Sequence, residues 1–115
     1  SNYKTKDGTP IRDFIHVSDL AEMHLIAAKN LVEKSETEVF NCGYGVGYSV
    51  QDIINTMSKI LKNKINFAYG PRRKGDAEYS VANNEKFVKK FNWKPKYNNL
   101  EYILKTALNW ERKID

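Results

Sequence analysis

A single cysteine, Cys42, stands in 115 residues, so no internal disulfide can form, and this usage fits the reducing cytoplasm. Histidine is almost as scarce. His16 and His24 lie eight positions apart and far from Cys42, so no metal-ligand spacing emerges and no metal is expected. Runs of about 18 apolar residues, the length a membrane-spanning helix needs, are missing, so no membrane partner is expected. The polar, charged N-terminus carries no signal-peptide pattern. It opens on Ser1-Asn2-Tyr3 without an initiator methionine, which reads as a piece excised from a longer protein. No tyrosine is followed four positions later by lysine, and no Gly-Lys-Ser/Thr phosphate loop occurs. Nothing assembles a nucleophile, a base and an orienting group, so no catalytic residue is expected on this chain.

What is present suits one soluble domain: 41% hydrophobic and 29% charged residues, with seven Tyr, five Phe and two Trp to build a core. The net charge of +5 is compatible with nucleic acid, an anionic surface or a phosphorylated small ligand. Solvated lysines on helix faces account for much of it, and no recognisable nucleic-acid motif accompanies it.

Along the chain, a polar loop over 1–10 leads into a strand-like run, Ile11 to Ile15. Ser18 is a suitable N-cap for an amphipathic helix over 19–33, with Leu20, Met23, His24, Ala27, Ala28 and Leu31 at helical spacing. Glu38 to Cys42 reads as a second strand and Ile65 to Tyr69 as a third. Between them, Ser49 caps a helix with Asp52 in capping-box position. A charged loop over 71–83, a short helix over 84–91, a break at Pro95 and a last helix over 99–112 complete an α/β order of strand–helix–strand–helix–strand–helix–helix.

Three places carry candidate chemistry. Gly43, Gly45 and Gly47 sit between a strand and a helix cap, as in a dinucleotide-binding turn, but Tyr48 stands where that fingerprint needs glycine. No carboxylate ends the strand that follows, so a tight turn close to a neighbouring group is the better reading. Arg72, Arg73, Lys74 and Asp76 concentrate charge in one turn. Guanidinium suits bidentate phosphate recognition and a carboxylate accepts sugar hydroxyls, although a solvated basic loop has the same composition. Arg12, inside a strand-like run, needs a partner if buried, and the adjacent Asp13 offers one. His24, on the apolar helix face, reads as a satisfied core histidine.

Four segments in order carry a family resemblance: Gly8-Thr9-Pro10-Ile11-Arg12-Asp13-Phe14-Ile15-His16-Val17-Ser18-Asp19-Leu20-Ala21, Asn41 to Val50, Arg72-Arg73-Lys74-Gly75-Asp76, and Asn92-Trp93-Lys94-Pro95. Together they resemble the UDP-glucose 4-epimerases of the extended short-chain dehydrogenase type, over residues 3–112. The resemblance implies the C-terminal portion of such an enzyme. About 11–43 would complete the sheet of a Rossmann-type NAD domain, and about 44–115 would form the smaller UDP-sugar lobe. It also implies a parent enzyme, a homodimer, that epimerises UDP-glucose and UDP-galactose by transient oxidation at sugar C4 with NAD. The NAD loop and catalytic residues would lie upstream, leaving the fragment inactive and without NAD. Carried over by position, Arg12 and Arg73 bind the diphosphate, Phe14 lies near uracil, Val50 lines the uridine pocket and Asp76 accepts ribose hydroxyls. A gating position beside the sugar falls on Ser80, whose small side chain implies that UDP-N-acetylhexosamines are accepted too. A sister enzyme such as a UDP-pentose 4-epimerase is the nearest alternative, and a basic nucleic-acid module a remote one. The resemblance further implies an orphan strand edge and uncovered helix faces, hence self-association.

Overall fold

Before any regular element begins, the entry loop is closed by its own side chains. Thr9 donates to Asp7 Oδ1 from both its amide and its hydroxyl, at 2.9 and 2.7 Å. This Asx turn delivers the chain into β1, Ile11–Arg12. The computed structural model describes residues 2–114. β1 is the middle strand of a three-stranded sheet, with β2 (Tyr48–Ser49) antiparallel on one side and β3 (Tyr79–Ser80) parallel on the other. The register sets Ile11 between Ser49 and Tyr79, and Arg12 between Tyr48 and Ser80.

The element order matches the expected one, but two of its strands are different residues. Glu38 to Cys42 and Ile65 to Tyr69 are not strands, because no neighbour among the described residues completes a ladder with them. Alternation and β-branched residues predict extended backbone, but a strand also requires a partner. β2 and β3 instead arise where loops pass beside β1. The run from Ile11 is regular for two residues only.

The helices follow the local pattern more closely. α1 spans Val17–Lys34, and its N-cap is His16, two residues ahead of the expected Ser18. The ring does what a serine hydroxyl would do: His16 Nδ1 accepts the Ser18 amide at 3.0 Å. α2, Val50–Leu61, begins with the expected capping box. Ser49 Oγ accepts from the Asp52 amide at 3.0 Å and Asp52 Oδ2 accepts from the Ser49 amide at 2.9 Å. α3 (Glu85–Phe91) ends at Asn92, which is left-handed with φ of 48° and occupies the place where glycine is the common residue. α4 spans Leu100–Ile114 and packs on α2.

Met23 of α1, Phe87 of α3, Tyr44 of the Gly-rich turn and Trp93 form the buried core, with Phe40, Phe91 and Ile103 packed against it. The Phe87 ring meets those of Phe40 and Trp93 edge-on, at 5.4 and 5.9 Å. That core covers only part of the apolar surface. Leu25, Leu31 and Val32 of α1 remain exposed, as do Val39 and Trp110. The Cα radius of gyration is 16.8 Å, against roughly 13 Å for a compact chain of this length. The accessible surface is 8442 Å², where a globular protein of this mass exposes roughly 6,500 Å². A substantial apolar area is therefore left uncovered among the described residues.

Candidate functional site

Sequence adjacency suggests that Arg12 pairs with Asp13; the structure separates them. Neighbouring residues of an extended chain point to opposite faces. Arg12 turns to the charged loop, where Nη2 donates to Asp76 Oδ1 at 2.6 Å and to the Ala77 carbonyl at 2.8 Å. The loop is shaped for this by Gly75, whose φ of 79° closes the turn in which the Asp76 amide donates to the Arg73 carbonyl at 3.3 Å. The same turn brings Arg73 Nη2 to within 3.5 Å of Asp76 Oδ2, while the Arg73 side chain stays 85% exposed. Tyr3, from the entry loop, donates its hydroxyl to Asp76 Oδ2 at 2.7 Å. Beside them Arg72 lies over the Tyr3 ring, 4.5 Å from its centroid, and pairs with Glu78 at 3.0 Å. The Tyr3 hydrogen bond, backed by the charges of Arg12 and Arg73, holds the Asp76 carboxyl below the ordinary carboxylate range. The same bond raises the Tyr3 phenol.

Asp13, on the other face, gathers backbone. Its carboxylate accepts the amides of Tyr44 (3.1 Å), Gly45 (2.9 Å) and Ala82 (3.3 Å). It so ties the Gly-rich turn to the segment that follows β3. Gly43 makes room for it: a Cβ there would lie 2.5 Å from Asp13 Oδ2 and 2.6 Å from the Ala82 Cβ. The tight-turn reading of Gly43–Gly47 therefore holds, and the close neighbour is Asp13.

Between these two faces lies an open cleft of about 530 Å³, lined among others by Arg12, Asp13, Phe40, Cys42, Ser80 and Ala82. Ser80 is exposed and directly abreast of Arg12. Of the residues singled out from sequence, Arg12, Arg73 and Asp76 thus form one bonded cluster, and Ser80 stands next to it. Phe14 is half-buried just beyond β1, and Val50 opens α2 on the opposite edge of the sheet, its amide donating to the Pro10 carbonyl at 3.1 Å. Neither joins the bonded cluster among the described residues. Sequence reasoning missed Tyr3: it lies 73 positions from Asp76, and no spacing rule reaches that far.

The buried polar centre lies elsewhere. Asp19 is fully buried and accepts the Tyr44 hydroxyl at 2.5 Å, the Tyr97 amide at 2.9 Å and the Lys96 amide at 3.1 Å. Burial pushes its carboxyl up, but these three donors and the nearby His16 outweigh burial and hold it below the ordinary value. The satisfied buried histidine is His16, not His24 as the helix pattern suggested. His16 Nδ1 accepts the Ser18 amide, and its Nε2 lies 3.0 Å from Thr106 Oγ1. His24 is exposed because the face of α1 it occupies has no cover among the described residues, and its Nδ1 lies 2.8 Å from the Leu20 carbonyl.

Among the described residues, no three of His, Cys, Asp and Glu converge to hold a metal ion. No described helix is long and apolar enough to cross a membrane. The Gly-rich turn does not fit a dinucleotide pyrophosphate, since the amides such a group would need are engaged by Asp13.

Comparison with known proteins brings sequence and geometry together. The model of the NAD dependent epimerase/dehydratase family matches residues 2–43. A UDP-glucose 4-epimerase of Azospirillum brasilense is 37% identical over the whole chain, which spans 33% of that protein. The UDP-Glc/GlcNAc 4-epimerase of Campylobacter jejuni superimposes with a TM-score of 0.80 at 42% identity, covering 97% of this chain and 34% of that one. A UDP-glucose 4-epimerase of Bifidobacterium longum, solved with NAD+ and UDP, gives a TM-score of 0.82 at 35% identity, over 97% and 33% of the two chains. The chain thus spans about a third of the length of these relatives. Sequence and fold thus agree: over nearly its whole length the chain is similar to about one third of these UDP-glucose 4-epimerases, and residues 2–43 match the NAD dependent epimerase/dehydratase family model.

Proposed function

We propose that this chain is the nucleotide-sugar-binding part of an NAD-dependent UDP-sugar 4-epimerase. The observation that carries the reading is the convergence of Arg12 and Arg73 on Asp76, with Ser80 abreast of Arg12 at the cleft. Two guanidinium groups suit a diphosphate, and an ionised carboxylate beside them suits the hydroxyls of a ribose. Phe14 and Val50 take the uracil side. Residues about 11–43 go with the NAD domain and about 44–115 with the sugar lobe, except that β1 pairs with β2 and β3 and so lies in the sheet of the lobe; this division gives the extended backbone before Gly43 a ladder partner outside this chain. Redox chemistry falls to the nicotinamide cofactor. This chain's own residues bind and orient the substrate. The lone Cys42 suits a cytoplasmic enzyme.

Ser80 makes the substrate range testable. A serine leaves room beside the sugar that a tyrosine ring would fill. The similarity to an enzyme described as acting on both UDP-Glc and UDP-GlcNAc supports a pocket that admits N-acetylhexosamines. In the complete enzyme, Ser80→Tyr is expected to lower activity on UDP-N-acetylglucosamine by about 100-fold, the scale of a clash of a few kcal/mol. Activity on UDP-glucose should stay within a factor of about three. Equal losses on both substrates, or none on either, would overturn the assignment of Ser80.

The exposed apolar faces of α1 and α4 support self-association of the isolated chain. Sedimentation between 10 and 500 μM (order-of-magnitude bounds around ordinary micromolar dissociation constants, about −8 kcal/mol) should show a concentration-dependent rise in mass. A constant monomer mass throughout counts against it.

A further inference from the structure

Asp76 has more to do than pair with an arginine, and the contacts around it show a residue that controls how. The ionised carboxylate offers about four lone-pair directions. Arg12 takes one on Oδ1, and Tyr3 takes one on Oδ2. Arg73 reaches only the edge of Oδ2, at 3.5 Å. The terminal torsion of aspartate is soft, and a guanidinium next to a free carboxylate tends to close on it with two parallel bonds. Such closure would use up both Asp76 oxygens and the outward donors of Arg12 together. The Tyr3 hydroxyl opposes it by holding Oδ2 on the other side. Tyr3 is itself fixed, because its ring lies under the Arg72 guanidinium, and Arg72 is tied to Glu78 and, at 3.2 Å, to the Asp76 carbonyl.

We propose that Tyr3 is a positioning residue of the nucleotide site, whose hydroxyl keeps the Asp76 carboxylate turned so that each oxygen retains a lone pair for the vicinal diol of a ribose. This rests on the reading of Asp76 as the ribose acceptor given above. Arg12 on β1, Tyr3 on the entry loop, and Arg72 and Arg73 on the loop of Asp76 are the charged and titratable groups around that carboxylate, and Tyr3 is the largest influence holding it ionised.

Tyr3→Phe keeps the ring under Arg72 and deletes only the donor. The chain and this variant are titrated with UDP and with 2′,3′-dideoxy-UDP, and the Asp76 carboxyl is followed by carbon NMR as pH falls. Loss of one charge-assisted bond to the diol corresponds to at least about a 10-fold weakening of UDP binding. Dideoxy-UDP should bind within about twofold of wild type, since the deleted donor acts only through the diol. The Asp76 titration should move up towards the ordinary carboxylate value. A variant that prefers UDP over the dideoxy compound as strongly as wild type, or an Asp76 titration that does not move, overturns the role of Tyr3. Asp76→Asn separates the two readings. If it removes the preference for UDP while Tyr3→Phe does not, only the Tyr3 proposal fails. If wild type shows no preference for UDP at all, the ribose reading of Asp76 fails and the proposal falls with it.

Discussion

Asp19→Ala is expected to destabilise the chain by about 3–5 kcal/mol, the range found when one partner is removed from a buried charged network. The aspartate is fully buried at the join of α1, the Gly-rich turn and the Lys96–Tyr97 backbone. Alanine leaves the buried Tyr44 hydroxyl and two part-buried backbone amides facing a void, and no rotamer change can redirect the amides. Asp19→Asn should fall between, since an amide oxygen can satisfy part of the set but its NH2 group opposes the rest. Because the folded carboxyl lies below its ordinary value, its stabilisation is complete above about pH 3.9, the ordinary value. It is lost as pH falls through the lowered folded value. Urea unfolding at pH 7 and at pH 3 checks both parts: the gap between wild type and Asp19→Asn should narrow on acidification. A gap under about 1 kcal/mol at pH 7, the worth of a single ordinary hydrogen bond, would show that Asp19 does not anchor the fold.

How far these features could be read from sequence depends on the distance between cause and effect. α2 and its capping box are local, four residues deciding the helix start, and Ser49 and Asp52 stand where the pattern put them. The start of α1 is equally local, but its cap is an imidazole, which the usual list of capping side chains leaves out. Val39 and Phe67 lie in runs with genuine β character. What failed there was the ladder, a property of two segments and not one. His24 shows the same limit from another side: it sits on an apolar helix face, but burial needs something to cover the face. In the site, Arg73 and Asp76 are legible from their charge chemistry, and the family resemblance adds Arg12 and Ser80. Adjacency offers Asp13 as one partner for Arg12, and alternation along an extended chain turns the two apart. Tyr3 and the amide clamp on Asp13 are long-range geometry that residue types and spacing do not encode.

Arg12 is the residue whose loss should most weaken nucleotide binding. It stands in the middle strand, with Tyr48 on one side and Ser80 on the other, so its guanidinium is delivered from the most constrained backbone near the cleft. Arg73 comes from an exposed turn and must be ordered by the ligand, an entropic cost that Arg12 has largely met already. Arg12→Ala is therefore expected to weaken UDP binding by about 100-fold and Arg73→Ala by about 10-fold, the scale of charge-assisted hydrogen bonds lost with and without preorganisation. Arg12→Lys should recover only part of the loss, since an ammonium keeps the charge without the planar fork. The fold should survive: the Arg12–Asp76 pair retains solvent contact on both sides, and Tyr3 still holds the carboxylate when the arginine is gone. Calorimetric titration with UDP and with inorganic pyrophosphate, alongside far-ultraviolet dichroism, distinguishes the outcomes. Equal weakening of UDP and pyrophosphate places Arg12 on the phosphates. Weakening of UDP alone would move Arg12 to the nucleoside side of the site and overturn the assignment of its guanidinium to the diphosphate.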